Sequence, residues 1–304
     1  MEVTLASITQ ATKTQYSRPI KLWWLYCKQN QIDCFCPSPS AVLEFLSISV
    51  ASSRSYSSLN TVRSAVSLIS VNEVGSHPLV RRFFKGIAAL KPQRPRYDFI
   101  WDTAPVVTRL ASLYPHDNLS LELLSRKLAT LLALTTAQRL QTLAAIQTSN
   151  ISFADSLVIK IPARIKTSGV GKYQPLLVFK PFLDKPELCL FSIVKSYLDR
   201  TQSLRRGEVD SLFISTRPPH KPVTSQSLGR WIKTELAAAG IDTSIFSAYS
   251  TRHASTSRAA SKGISLQEIR RTAGWSSSSE VFARFYKRPI ISEPAFQASI
   301  LNPT

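Results

Sequence analysis

A mainly α-helical chain with a small antiparallel β-sheet is the fold class this sequence predicts, and three observations predict it. Apolar residues recur at helical spacing over most of the 304 residues, as in Tyr16, Ile20, Trp23, Trp24 and Cys27. Only two runs, Ser156–Pro162 and Tyr173–Phe179, read as strands, and the segment between them carries two glycines near its centre. One stretch, Lys91-Pro92-Gln93-Arg94-Pro95-Arg96, packs two prolines and three cations into six residues, which neither a helix nor a core accepts. With 44% hydrophobic residues the chain can fill a core in one or two domains.

The elements follow in order. After the Tyr16–Cys27 face, Val42, Leu43, Phe45 and Leu46 make a second apolar face, with Ser40 as its expected N-cap after Pro37-Ser38-Pro39. A third helix runs from about Ser58 through Val62, Ala65, Val66 and Ile69, and a fourth covers Pro78 to Leu90, with proline at its start. These form a small helical bundle over residues 1–91. The basic proline-rich stretch opens a linker, 92–103. A larger unit, 104–288, follows, with helices expected at Ala104–Leu113, Leu119–Leu134, Ile193–Arg200 and Ser225–Ala239, the last stopped by Gly240. Another helix follows Ser250 and ends at Gly263. Ser265-Leu266-Gln267-Glu268 is a capping box that opens one more, ended by Gly274. Residues 289–304 are a tail that alternates apolar and polar positions.

Charge narrows the partner. Lys and Arg number 38 against 19 Asp and Glu, a net charge of +19, and the pI is near 10.1. Such an excess points to a polyanion, nucleic acid before a membrane surface, because no basic amphipathic helix with a large apolar face stands out. No apolar run reaches bilayer length, and the start MEVTLASITQ lacks the basic and apolar regions of a secretory signal. Cys27, Cys34, Cys36 and Cys189 suit an intracellular protein with reduced thiols. Cys34-Phe35-Cys36 has no second Cys/His pair at zinc-finger spacing, so no metal is expected. Arg54, Arg63, Arg81, Arg82 and Lys85 in the bundle, Arg94 and Arg96 in the linker, and Lys172 near the strand turn are the candidate phosphate contacts. Part of this set is equally read as solvated surface charge.

Six residues carry the candidate chemistry. Arg139 lies in TTAQRLQTL, where Thr135 and Thr136 are expected to break one helix and cap the next. Lys166 lies at the strand turn, flanked by Lys160 and Lys172, either of which could take its place. Tyr249 and Arg252 lie in YSTRHASTS, and Trp275 and Tyr286 lie in AGWSSSSEVFARFYKRP. Taken singly, each has an ordinary structural reading, and His253 is read as a structural hydrogen-bonding residue. Taken in this order, Arg–Lys–Tyr-x-x-Arg–Trp–Tyr, they resemble the catalytic set of the tyrosine recombinases: an Arg at a helix start, a Lys in a β-hairpin, His-x-x-Arg, a His or Trp, then Tyr. The phrases quoted, with RSAVSLI and HPLVRRFFKGI, look most like the enzymes of eukaryotic DIRS-type retrotransposons and Crypton-like elements, from about residue 15 to 290.

That resemblance implies an N-terminal core-binding domain and a C-terminal catalytic domain forming a C-shaped clamp on double-stranded DNA. It implies site-specific recombination or integration without metal, nucleotide or other cofactor. Tyr286 would be the nucleophile, Arg139 and Arg252 the clamp on the phosphate, Lys166 the general acid, and Trp275 and Tyr249 would border the phosphate. It further implies nuclear localisation, a homotetramer on paired sites, and a tail that docks on a neighbouring subunit through Ile290, Ile291, Phe296 and Ile300. Two departures stand out. Tyr249 replaces the usual His, and a phenol is a poor acid or base at neutral pH. Tyr286 lies eleven positions after Trp275, slightly further than in many members, with four serines in the gap. Tyr249 keeps open a second reading, a weakened or domesticated DNA-binding protein. A type IB topoisomerase-like enzyme would share the nucleophile, and an RNA-binding scaffold would have no use for this order of residues.

Overall fold

Local capping signals decide where most helices begin in this computed structural model, which describes residues 7–52, 55–92, 96–166, 168–169, 174–205, 207, 209–275 and 286–291. The chain divides into two compact units, Met1–Arg96 and Tyr97–Thr304. In the first, α1 (Gln10–Asn30) is capped by the Thr9 hydroxyl, which accepts from the Thr12 N–H, and ends at Gln31 in the left-handed region (φ 55°). It is followed by α2 (Pro39–Ser52), α3 (Tyr56–Ile69) and α4 (Pro78–Leu90). The cap of α2 is Ser38, whose hydroxyl accepts the Ala41 N–H at 3.2 Å, and not Ser40, because the rigid φ of Pro39 fits the first helical position. Trp23 is fully buried, donates its indole N–H to the Cys34 carbonyl at 3.1 Å, and packs edge-on against Phe45. Its neighbour Trp24 is 53% exposed, because one residue along a helix turns the side chain by about 100° away from the core.

The second unit is built around α6. Its elements are β1 (Ile100–Trp101), α5 (Ala104–Ala111), α6 (Leu121–Thr136), α7 (Leu140–Ala144), β2 (Ile151–Phe153), β3 (Leu157–Lys160), β4 (Leu176–Phe179), α8 (Leu190–Thr201), α9 (Ser225–Ala238), α10 (Ser250–Ser261), α11 (Leu266–Thr272) and β5 (Ile290–Ile291). Leu124, Leu128, Leu131 and Leu132 of α6 are buried where α8, α9 and α10 pack on it. The antiparallel sheet runs β2-β3-β4. In β3 the alternation puts Leu157 and Ile159 in the core while Lys160 stays out. The fold is therefore mainly helical with a small antiparallel sheet; β2 was not anticipated from the sequence.

Two further features came only from the fold. β1 and β5 pair in parallel, Ile100 opposite Ile290 and Trp101 opposite Ile291. Tyr97, Ile100 and Trp101, expected in a linker, are buried in the second unit's core. Ile290 packs against that same core. Ile290 and Ile291, expected to reach a neighbouring subunit, are thus strand residues of their own chain, because the two-residue ladder satisfies backbone groups that would otherwise be left open. Phe296 and Ile300, with Arg54, Arg94 and Lys172, lie outside the described residues. No described helix is long and apolar enough to cross a membrane.

One buried cation in α6 has a measurable consequence. Lys127 is fully buried, donates to the Leu113 carbonyl, and is pushed down by burial from 10.5 to about 8. Below the folded value both states are charged and the folded state carries the full desolvation cost. Between about 8 and 10.5 the unfolded chain holds the proton that the folded one has lost, so stability rises through that window. The stability of Lys127→Met relative to wild type is therefore expected to be greater at pH 7 than at pH 10, read from denaturant melts of both proteins at the two pH values.

Candidate active site

Two turns converge on one guanidinium. Thr136, the last residue of α6, donates to the Leu132 carbonyl, and Ala137 then takes φ 49°, which breaks the helix as expected. Arg139 sits at the N-cap position of α7, half-buried, with extended backbone; neither threonine caps that helix. Gln138 donates its amide to the Thr272 carbonyl at 2.7 Å, tying this turn to the end of α11. Arg252, on α10, is 1% exposed. Its Nη1 donates to the Ala137 carbonyl and, at 2.7 Å, to the Ala273 carbonyl, so it staples the turn after α6 to the turn after α11. Trp275 covers the guanidinium face at 4.0 Å from its ring centroid.

The other two nitrogens of Arg252 are the informative ones. Nε and Nη2 are buried and make no well-aligned hydrogen bond, although the Tyr286 hydroxyl lies near enough to favour the charged form. Burial, and then the charge of Arg139, lower this guanidinium to about 10, so it stays charged at neutral pH. Buried N–H donors without well-aligned acceptors are costly, and two of them beside a second cation suit an anion with the paired geometry of a phosphate.

Tyr286 closes the other side. It is 6% exposed and lies on a stripe of α10 made by Tyr249, His253 and Ser257, each four residues from the next. The His253 ring stacks on the Tyr286 ring at 4.1 Å and 16°, and Trp275 meets it edge-on at 4.7 Å. The Tyr249 and Tyr286 hydroxyls are hydrogen-bonded to each other. Ser257 donates to the Tyr286 carbonyl at 2.7 Å and accepts the Arg288 N–H at 3.1 Å, which fixes the backbone around the phenol. Burial, and then the bond to Tyr286, push Tyr249 up to about 12, while Arg252 and Arg139 pull the other way. Tyr249 is therefore neutral across the physiological range.

Arg139, Tyr249, Arg252, Trp275 and Tyr286 thus come together. Lys166 is exposed at the β3–β4 connection, and no described contact joins it to the cluster. Sequence reasoning gave Ser257 and Gln138 no role and kept His253 only as structural support. The four-residue spacing of Tyr249, His253 and Ser257 was the signal that could have placed all three against the tyrosine. In the first unit, Arg81 and Arg63 line a groove of about 450 Å³ with Tyr16, Ser67 and Ser76. Arg63 also lies over the Phe84 ring at 4.7 Å. Arg81, Arg82, Lys85 and Arg96 are exposed.

The profile of the phage integrase family matches residues 109–289, more than half of the chain, and spans the whole cluster. The chain belongs to the phage integrase family. Membership implies the strand-breaking and strand-joining activity of tyrosine recombinases. Three solved structures of similar fold are a XerH site-specific recombinase bound to palindromic difH substrate, the Tn1549 transposon integrase with circular intermediate DNA, and a lambda integrase tetramer bound to a Holliday junction. The XerH structure is 15% identical (TM-score 0.61), with 90% of this chain and 75% of that one covered. The Tn1549 integrase is 12% identical (TM-score 0.58, 96% and 94% covered), and the lambda integrase 18% identical (TM-score 0.53, 96% and 77% covered). A search of curated proteins finds no match.

Gly274 holds the integrase site together at its far corner. Its φ is +67°, and an added Cβ would meet the Gln138 amide at 3.3 Å. Gly274→Ala is expected to cost about 1–2 kcal/mol, from the left-handed backbone plus the displaced Gln138. Thermal unfolding of the variant measures it; an unchanged melting temperature would show that Gln138 yields freely.

Proposed function

We propose that this chain is a catalytically active recombinase or integrase of a mobile element, acting on double-stranded DNA through a covalent 3′-phosphotyrosyl intermediate. One observation carries the reading: the buried Nε and Nη2 of Arg252 make no well-aligned hydrogen bond and lie beside the Tyr286 hydroxyl and the charge of Arg139. A backbone phosphate placed there would receive paired hydrogen bonds on its non-bridging oxygens as their charge grows. The Tyr286 oxygen, its proton passed to solvent water, forms the bond to phosphorus while the bond to the 5′ oxygen breaks. Lys166, on its exposed connection, supplies the proton to that leaving oxygen once DNA is bound. Phosphotyrosine keeps the energy of the broken ester, so rejoining reverses the step without ATP. Two guanidiniums supply the charge stabilisation, and the reading calls on no metal or other cofactor.

Arg63, Arg81, Arg82 and Lys85 in the first unit, with Arg54, Arg94, Arg96 and Lys172, contact phosphates and position the duplex without reading its sequence. The resemblance of the motif phrases supports an origin among DIRS-type retrotransposons and Crypton-like elements, and with it a nuclear site of action. Assembly on paired sites is as a homotetramer, in line with the tetrameric lambda integrase; the tail beyond Ile291, with Phe296 and Ile300, docks on the neighbouring subunit. A second reading, a DNA-binding protein that no longer cuts, is favoured by Tyr249 in the place of His. Nicked suicide duplexes from a randomised pool distinguish the two. A slow, protease-sensitive adduct supports the recombinase, whereas tight binding without adduct supports the binder.

A further inference from the structure

The group nearest the nucleophile's oxygen is not an imidazole. His253 offers Tyr286 its ring face, at 16° between planes, so its nitrogens lie in a plane parallel to the phenol and cannot make an in-plane hydrogen bond to that hydroxyl. Trp275 meets the ring at its edge. The Tyr249 hydroxyl is hydrogen-bonded to the Tyr286 hydroxyl, and the Arg252 guanidinium also lies within hydrogen-bonding reach of it. Tyr249 is the N-cap residue of α10, four residues before His253, and its ring packs edge-on against both His253 and Tyr286. The charged groups that act on it are Arg252 and Arg139; His253 and Tyr286 are its other titratable neighbours.

We propose that Tyr249 is a positioning residue for the nucleophile, donating its phenolic hydrogen to the Tyr286 oxygen as negative charge gathers there before attack. This rests on Tyr286 being the nucleophile, and it gives Tyr249 a task on that oxygen in place of a contact to the phosphate. A phenol suits the task because it stays a donor over the whole pH range in which DNA is cut, whereas an imidazole in its place would gain and lose a proton near neutrality. The replacement of His by Tyr then changes how the nucleophile is prepared without disabling it. Removal of the donor leaves Tyr286 harder to ionise, and alkaline conditions partly restore what is lost.

The test places 3-fluorotyrosine at position 286 and follows its ionisation by fluorine NMR, in the otherwise wild-type full chain and in Tyr249→Phe, which keeps the ring packing. The midpoint is expected to rise by about one pH unit in the variant, the size of one lost hydrogen bond to a charged oxygen. In parallel, adduct formation on suicide duplexes by Tyr249→Phe is expected to slow about tenfold at pH 7, with the deficit shrinking at higher pH and DNA affinity unchanged. An unmoved midpoint overturns the proposal, even where wild type forms adduct and the recombinase reading stands. A shifted midpoint in a chain that forms no adduct supports the hydrogen bond and overturns the recombinase reading instead.

Discussion

Tyr286→Phe is expected to abolish the covalent DNA adduct, a loss of at least about a thousandfold, while the protein binds the same duplexes as tightly as wild type. The structure explains why this separation is clean. Phenylalanine keeps the stack on His253 at 4.1 Å and the edge contact with Trp275 at 4.7 Å. The Ser257 bond goes to the backbone carbonyl of residue 286 and survives the change. Only the hydroxyl disappears, and with it the bond to Tyr249, so unfolding should change by no more than about 1 kcal/mol. The measurement is a denaturing gel of suicide-duplex reactions beside a native binding titration. An adduct that persists in the variant would move the nucleophile elsewhere, and Tyr249 would be the first place to look.

Arg252→Lys is expected to lose both activity and stability. An ammonium is a single point of charge and cannot bridge the Ala137 and Ala273 carbonyls while presenting two further N–H groups to a phosphate. Adduct formation should fall by about 10²–10³-fold, the usual cost of one missing donor at a charged transition state. Breaking the staple between the turns after α6 and α11, and the stacking on Trp275, should cost about 2–3 kcal/mol of folding stability as well. Arg139→Lys is the informative contrast. Arg139 is half-buried and no described hydrogen bond ties its side chain to a turn, so its loss should slow the reaction with little change in melting temperature. Equal melting temperatures for the two variants would show that the carbonyl bonds of Arg252 contribute nothing to the fold.

Features written in a few adjacent residues were legible beforehand. Pro78 at the first turn of α4, the Ser265–Glu268 cap of α11, and the glycines at 240, 263 and 274, all at positive φ, were placed correctly because each acts on its own turn of chain. The side of a helix that faces the core was harder. Trp23 and Trp24 look alike in sequence, and only packing against Phe45 and the Cys34 carbonyl decides which is inside. Ser40 was the expected cap for α2, and Ser38 takes that place because the φ of Pro39 fits the first helical position.

The identities and order of Arg139, Tyr249, Arg252, Trp275 and Tyr286 were set by the sequence, as were the helical class and the basic charge, since each is a property of residue type and short-range spacing. Tertiary structure alone decided which groups face one another. β5 joins β1 across nearly the whole second unit, a pairing of two residues with no periodic signature of its own. It is this closure that retains Ile290 in its own chain. Arg252 finds its carbonyls on turns far away in sequence, and His253, placed one turn beyond Tyr249, becomes the platform for Tyr286. Hydrogen bonds and ring contacts between distant segments depend on how the elements pack, and no local pattern of residues encodes that packing.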